Sequence, residues 1–224
     1  MESTLTALRF QTVLMYPPQQ LDEAIIRRIS FDISASQDFT EIRVLRGGGA
    51  ILGSEEKRRC QISPDRITVT DSIPTASFEL FKNNVENVIE SVLGNQERPG
   101  LPIPVFVRQV VSLRYLYPAN MDVREFFGRV VPLDMGTVND RLGRSVAGIG
   151  FRMVMPPSRE QQTEFELKLE PYFRNLREIY TEVNANFLIP IPTANRAQIM
   201  VHLDQAGDFV HQRVFDLLNW LRNL

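Results

Sequence analysis

The chain has 224 residues and a formal net charge of -2, with 43% hydrophobic and 23% charged residues. This composition is typical of one large globular domain, or of two small units sharing a core. The charge provides no general attraction for a phosphate backbone, so nucleic acid is a disfavoured partner. The only cysteine, Cys60, excludes an intrachain disulfide and a cysteine-based zinc site.

The sequence carries no signal for membrane insertion or secretion. It does not open with a basic segment followed by an apolar one, and no apolar run approaches the roughly 20 residues that span a bilayer. A single cysteine suits a reducing compartment. We therefore expect a cytoplasmic protein with no membrane association.

A strand followed by a helix opens the chain. Residues 8–14 have the period of a strand with one buried face, and Tyr16-Pro17-Pro18 ends it. One side of this strand consists of Leu8, Phe10, Thr12 and Leu14, and the other of Arg9, Gln11 and Val13. Asp22 can cap the helix that follows. The helical stripe consists of Ile25, Ile26, Ile29 and Ile33.

The rest of the first half predicts three strands and a long helix. The strands are expected at 41–46, 57–63 and 66–71, after a polar loop at 34–40. Gly94 stands where a helix C-cap belongs. The helical stripe comprises Phe78, Phe81, Val85, Val88, Ile89 and Val92. Residues 1–94 thus predict a β-α-β-β-β-α unit, followed by a Pro- and Gly-rich linker at 95–104.

Residues 105–224 repeat this order. A strand pattern ends at Tyr117-Pro118, and shifting the first unit by 101 residues places Tyr16 on Tyr117 and Pro17 on Pro118. Phe126, Phe127 and Val130 then form a helical stripe. Strands are expected at 146–155, 163–170 and 178–187, and a closing helix at 206–222.

The predicted fold class is α+β, with two tandem units forming an extended, mainly antiparallel sheet that has helices on one face. The two units could form one compact domain, because each copy needs its neighbour to bury an apolar face. The alternative is a single irregular α+β domain without duplication, since the same element order can arise twice by coincidence.

Two segments carry a resemblance to a known family. Residues 61–69 (QISPDRITV) and 206–215 (AGDFVHQRVF), with the order of elements, resemble an uncharacterised, sporadically distributed prokaryotic protein family. The resemblance implies no known activity. It implies two β-α-β-β-β-α units side by side, similar to the duplicated fold of the TATA-box-binding protein, and fold by itself does not fix function.

Motifs for nucleotide binding and acyl transfer fail on inspection. Residues 47–54 (GGGAILGS) have the glycine spacing of a P-loop, but Ser54 occupies the position of the required lysine, and a flexible hairpin loop is the favoured interpretation. No Gly-x-Ser-x-Gly motif occurs, and Cys60 is expected in the core. We predict no cofactor.

Asp204, Asp208 and His211 would lie along one face of the last helix. Two carboxylates and an imidazole can bind a metal ion or shuttle a proton. Polar helical faces usually just contact water, and a hydrogen bond at a half-buried position is the alternative role for His211. We predict no metal site, with these three residues as the weak candidates.

Tyrosines and one polar strand face are the candidate binding residues. Tyr16 and Tyr117 could flank a pocket between the two units, or each could bury its ring and keep its hydroxyl in water. A polar face is expected on the uncovered side of the second half, where it could serve as a contact surface or simply meet solvent. Its residues are Tyr180, Glu182, Asn184 and Asn186, with Glu164, Glu166 and Glu170 from the preceding strand.

Two functions remain open at this point. The favoured one is a non-catalytic binding or assembly module that contacts a partner protein or a second copy through the open sheet face or an edge strand, with a homodimer as the simplest assembly and residues 34–58 as contact loops. The alternative is an enzyme or metal-binding protein using Asp204, Asp208 and His211 with Tyr117 in a cleft between the units.

Overall fold

A nine-stranded antiparallel sheet organises the fold. The computed structural model describes residues 5–223 apart from 38, 40, 47, 55, 73–76, 96–97, 120, 132 and 160. The strands run in the order β2-β3-β4-β5-β1-β7-β10-β9-β8, and β6 and β11 form a separate two-stranded sheet. Their bounds are β1 (Thr6–Met15), β2 (Ile42–Val44), β3 (Ala50–Gly53), β4 (Arg58–Ser63), β5 (Arg66–Asp71), β6 (Val105–Phe106), β7 (Arg108–Pro118), β8 (Phe151–Met155), β9 (Thr163–Pro171), β10 (Glu178–Phe187) and β11 (Ile191–Pro192).

The helices that contact the sheet pack against one of its two sides. Their bounds are α1 (Glu23–Gln37), α2 (Phe78–Leu93), α3 (Val123–Val130), α4 (Met135–Leu142), α5 (Ala197–Asp208) and α6 (Phe215–Arg222). A π-helical turn, Phe209–Val214, joins α5 and α6 into one continuous helix, and a short 3₁₀ turn precedes it at Thr193–Asn195. No helix in the described part of the chain is both long and apolar enough to cross a membrane.

The pairing of β1 with β7 joins the two halves of the chain. It is antiparallel and runs from Thr6 opposite Leu116 to Met15 opposite Arg108, with one irregularity between Ala7 and Arg9. Each half therefore contributes its first long strand to the middle of the sheet. On either side of this pair lies the last long strand of the same half, β5 beside β1 and β10 beside β7.

Side-chain alternation separates the two faces of the sheet. Phe10 of β1 contacts Phe78 and Phe81 of α2, with ring centroids 5.4 and 5.7 Å away. The register places Phe10 opposite Leu113, and Leu113 opposite Val183, so these residues share the helix-covered face. Cys60 of β4 is fully buried, as expected, and burial raises the pKa of its thiol to about 12.

The predicted α+β class with a large, mainly antiparallel sheet is confirmed, but several elements differ. The glycine-rich segment predicted as a loop contains strand β3, which Gly49 and Gly53 bound with positive φ angles of 110° and 74°. Helix α4 was not predicted because it buries no side chain and so has no apolar stripe. The eighth strand begins at Phe151 rather than at 146, and the closing helix begins at Ala197 rather than at 206.

Gly207 marks a close contact between the closing helix and α2. It lies inside a continuous helix, where glycine is normally unfavourable. A Cβ atom at this position would lie 2.6 Å from Cε1 of Phe78, so the missing side chain lets α5 approach α2 closely. The Phe78 ring has little freedom to move, because it packs against Phe10 and Phe81.

We expect Gly207→Ala to lower the free energy of unfolding by about 1–3 kcal/mol, because the added methyl group overpacks the α2–α5 contact. The control is Gly128→Ala in α3, where an added Cβ meets nothing within 4 Å. That change should raise the free energy of unfolding by up to about 1 kcal/mol through helix propensity alone. Urea denaturation measures both, and stabilisation by both substitutions would contradict the packing argument.

Candidate functional site

The face of the sheet opposite the helices carries a network of hydrogen bonds in its second half. The hydroxyl of Tyr180 donates to Oε2 of Glu182 at 2.6 Å, and Nη2 of Arg114 donates to Oε1 of the same carboxylate at 3.2 Å. Nδ2 of Asn184 is 3.5 Å from Glu182 Oε1. Glu182 is thus the centre of a four-residue cluster, on strands β7 and β10.

A second group of contacts extends this network along the strands. Nε of Arg108 donates to Oδ1 of Asn186 at 2.6 Å, and Nδ2 of Asn186 donates to Glu164 at 3.4 Å. Toward the sheet edge, Arg152 pairs with Glu166 at 2.5 Å. The predicted polar face therefore exists, and its side chains bond to one another across four neighbouring strands.

The two arginines on β7 were missed by sequence reasoning. The buried face of this strand was predicted from Val111, Leu113 and Tyr115, which are odd-numbered. The even-numbered residues, including Arg108 and Arg114, therefore had to lie on the opposite face. That alternation is the signal that could have found them. Their partners depend on register, because Arg114 pairs directly opposite Glu182.

The pKa values of Tyr180 and Glu182 are shifted in opposite directions. Burial and the hydrogen bond to Glu182 raise the pKa of Tyr180. Burial by itself would raise the pKa of Glu182, but hydrogen bonds from Tyr180 and the charge of Arg114 outweigh it, and the net shift is downward. A general acid or base works best with a pKa close to the operating pH, and the pKa values of these two groups are shifted away from neutral pH.

Tyr16 and Tyr117 lie in the core and do not meet. Tyr16 directly follows β1, and Tyr117 lies in the last two residues of β7. Because these strands are antiparallel, the β1–β7 pair separates the two tyrosines by roughly 30 Å at about 3.3 Å per residue. The hydroxyl of Tyr16 donates to the carbonyl of Ser63, and that of Tyr117 donates to Oδ1 of Asn219 at 2.8 Å. Both rings are buried, as one interpretation anticipated, but their hydroxyls bond to protein atoms.

Asp204, Asp208 and His211 do come together. They line a depression of about 240 Å³ between α5 and the N-terminus of α2. Asp204 already pairs with Nζ of Lys82 at 2.5 Å, a contact that raises the pKa of Lys82. Among the residues that the structure describes, no group of three or more His, Cys, Asp or Glu side chains is placed to hold a metal ion.

Sequence reasoning also missed a buried polar cluster around His202. Nδ1 of His202 lies 2.9 Å from Oε1 of Gln109. The amide nitrogen of Gln109, Nε2, lies 3.3 Å from the carbonyl oxygen of Ile199 and 3.3 Å from Oγ1 of Thr12. Because the Ile199 carbonyl can only accept, Oε1 of Gln109 must accept the proton of Nδ1. Nδ1 of His202 is therefore a hydrogen-bond donor, and burial keeps the imidazole neutral at pH 7 by lowering its pKa to about 4. The ring stacks on Phe187, with the ring centroids 4.0 Å apart.

Comparison with known proteins adds no functional assignment. No protein-family model matches this chain, and no curated protein matches it significantly.

We expect the protein to lose stability as the pH falls from about 6.5 to about 4. Burial lowers the pKa of His202 from 6.5 to about 4, so the unfolded chain takes up this proton at a higher pH than the folded one. The stability that the neutral imidazole contributes is complete above pH 6.5, and its loss at low pH is at most about 3 kcal/mol.

Chemical denaturation of His202→Gln across this pH range checks the effect, because the amide cannot be protonated. The variant should show a flatter dependence of unfolding free energy on pH than the wild type. His211→Gln removes the exposed histidine and should retain the His202 contribution. Parallel pH curves for wild type and His202→Gln would show that His202 does not cause the loss.

Proposed function

We propose that the protein is a non-catalytic binding or assembly module, and that its contact surface is the open face of the sheet. The carrying observation is the cluster in which Tyr180, Arg114 and Asn184 all bond to Glu182 on the side of the sheet away from the helices. Side chains fixed by mutual hydrogen bonds lose little conformational freedom on binding, so such a face is organised before a partner arrives.

A protein partner suits the chemistry of this face better than a nucleic acid or a substrate. Tyrosine and arginine are enriched among the residues that dominate protein–protein binding energies. Three of the glutamates on this face, Glu166, Glu170 and Glu182, are paired with Arg152, Lys168 and Arg114, so this part of the face has no excess of positive charge to attract a phosphate backbone. The pKa shifts of Tyr180 and Glu182 disfavour a role as acid or base at neutral pH.

We also propose that the chain arose by duplication, as the resemblance to TATA-box-binding-protein-like folds implies. The order β5-β1-β7-β10 supports this, because each half places its first long strand next to its last long strand and closes with a long helix. The second half differs by having α4 and no counterpart of β2 in the large sheet.

The alternative, an enzyme or metal-binding protein, has less support. Asp204, Asp208 and His211 share one depression, but Tyr117 bonds to Asn219 instead of lining it. Asp204 is engaged by Lys82.

The binding role predicts that changes at the centre of the open face weaken partner capture without unfolding the protein. Tyr180→Ala and Asn184→Lys should each reduce recovery of bound proteins by about tenfold, the effect expected at a dominant contact residue. The measurement is affinity capture on the immobilised chain, quantified by mass spectrometry, with the melting temperature recorded for each variant.

The matched control is Phe31→Ala, which removes a ring that is 69% exposed on α1, away from the open face. It should capture the same proteins as the wild type. If both face variants fold and also capture the same proteins in the same amounts, the open face is not the contact surface.

A further inference from the structure

The two edges of the sheet differ in length and chemistry. One edge strand, β2, has three residues, whereas β8 at the other edge has five. Four of the five β8 residues are apolar, and Val154 is 53% exposed. In the described part of the chain β8 pairs only with β9, so the backbone groups of its outer side are open to another strand. Apolar edge strands of this kind tend to pair with a further strand.

A groove lies beside β8 on the helix-covered face. It has a volume of about 550 Å³, and Met153 and Met155 form its wall along the edge strand. The π-helical turn forms the opposite side, where Phe209 stacks on Phe165 at 4.1 Å. Its other apolar lining residues are Leu167, Val214 and Leu217. An added strand would therefore find apolar side chains next to β8 on this face.

On the open face, the charges next to β8 favour an incoming cation. Strand β9 presents Glu164, Glu166 and Glu170 there, with Lys168 as its only cation. The register places Val154 directly opposite Glu166, and Arg152 of β8 already pairs with this glutamate. A second positive charge next to Val154 would thus lie close to a strand rich in carboxylates.

We propose that β8 pairs antiparallel with β8 of a second copy of this chain, around a twofold axis at Met153. In this register Arg152 of the second copy lies opposite Val154, near Glu166, and Phe151 of the second copy lies beside Met155 at the groove. All five residues of β8 find a partner. A register centred on Arg152 instead would place two arginines directly opposite each other, which is unfavourable.

The pairing gives a closed, symmetric dimer in which the two large sheets become continuous. It rests on the proposed role of the sheet in assembly, but it uses the edge rather than the open face. The substitutions that test the open face lie on β10 and leave β8 unchanged. Failure of one proposal is therefore distinguishable from failure of the other.

Charge substitutions at Val154 test the register. Val154→Lys would face Arg152 of the second copy and should raise the dimer dissociation constant by roughly 2- to 30-fold, the effect of two symmetric cross-strand pairs. Val154→Glu should lower it by a similar factor. The two substitutions should change the stability of a single chain in the opposite order, because lysine next to Glu166 is attractive and glutamate is repulsive. An effect on folding alone therefore cannot produce the expected change in the dissociation constant.

Sedimentation equilibrium over a range of concentrations gives the dissociation constants, and thermal unfolding reports the stability of each variant. A wild-type chain that stays monomeric up to its solubility limit would overturn the proposal. So would a dimer whose dissociation constant does not respond in opposite directions to the two substitutions.

A cross-linking experiment provides an independent measurement. Met153→Cys should form an intermolecular disulfide under mild oxidation, because directly opposed residues have Cα atoms about 4.5–5.5 Å apart, within disulfide range. Arg152→Cys is the control, since its two copies would be diagonal, about 7–8 Å apart. The native Cys60 is buried and should not react. Preferential linking through Arg152→Cys would overturn the proposed register.

Discussion

The antiparallel pairing of β1 with β7 is the contact on which the rest of the structure depends. It joins the halves of the chain along most of two long strands, from Thr6 opposite Leu116 to Met15 opposite Arg108. Without it, β1 and β7 would each be an unpaired edge strand. Because the pairing fixes register, it also aligns the buried residues of both halves into one core under the helices.

The two faces of this sheet use different interactions. The helix-covered face is held by apolar packing, and two of its buried polar side chains, His202 and Gln109, bond to each other. The open face is held by charged and amide side chains that bond across strands around Glu182. Apolar packing defines where the helices lie, whereas the polar cluster defines a surface that is ordered before any partner binds.

The sequence predicts a large part of this architecture for a simple reason. Segments such as β9, β10 and α2 combine many periods of a clear apolar pattern, and burial on one face enforces that pattern. Elements without such a pattern escape prediction. Strand β3 is four residues long between glycines, and α4 buries no side chain, so neither gives a periodic signal.

The candidate sites show the same division. Alternation along β10 placed Tyr180, Glu182, Asn184 and Asn186 on one face, and helical spacing placed Asp204, Asp208 and His211 along another. Local spacing could not show that Lys82 pairs with Asp204, or that Tyr16 and Tyr117 are far apart. Both facts depend on contacts between segments that are distant in the sequence.

The sequence by itself determined the fold class, the long strands and helices, and which side chains share a face, because these follow from local periodicity. The tertiary structure decided the strand order, the cross-strand partners of Glu182 and the free edge at β8. These depend on pairing between segments that are distant in sequence. A strand's own pattern specifies its buried face, but it does not specify its neighbour.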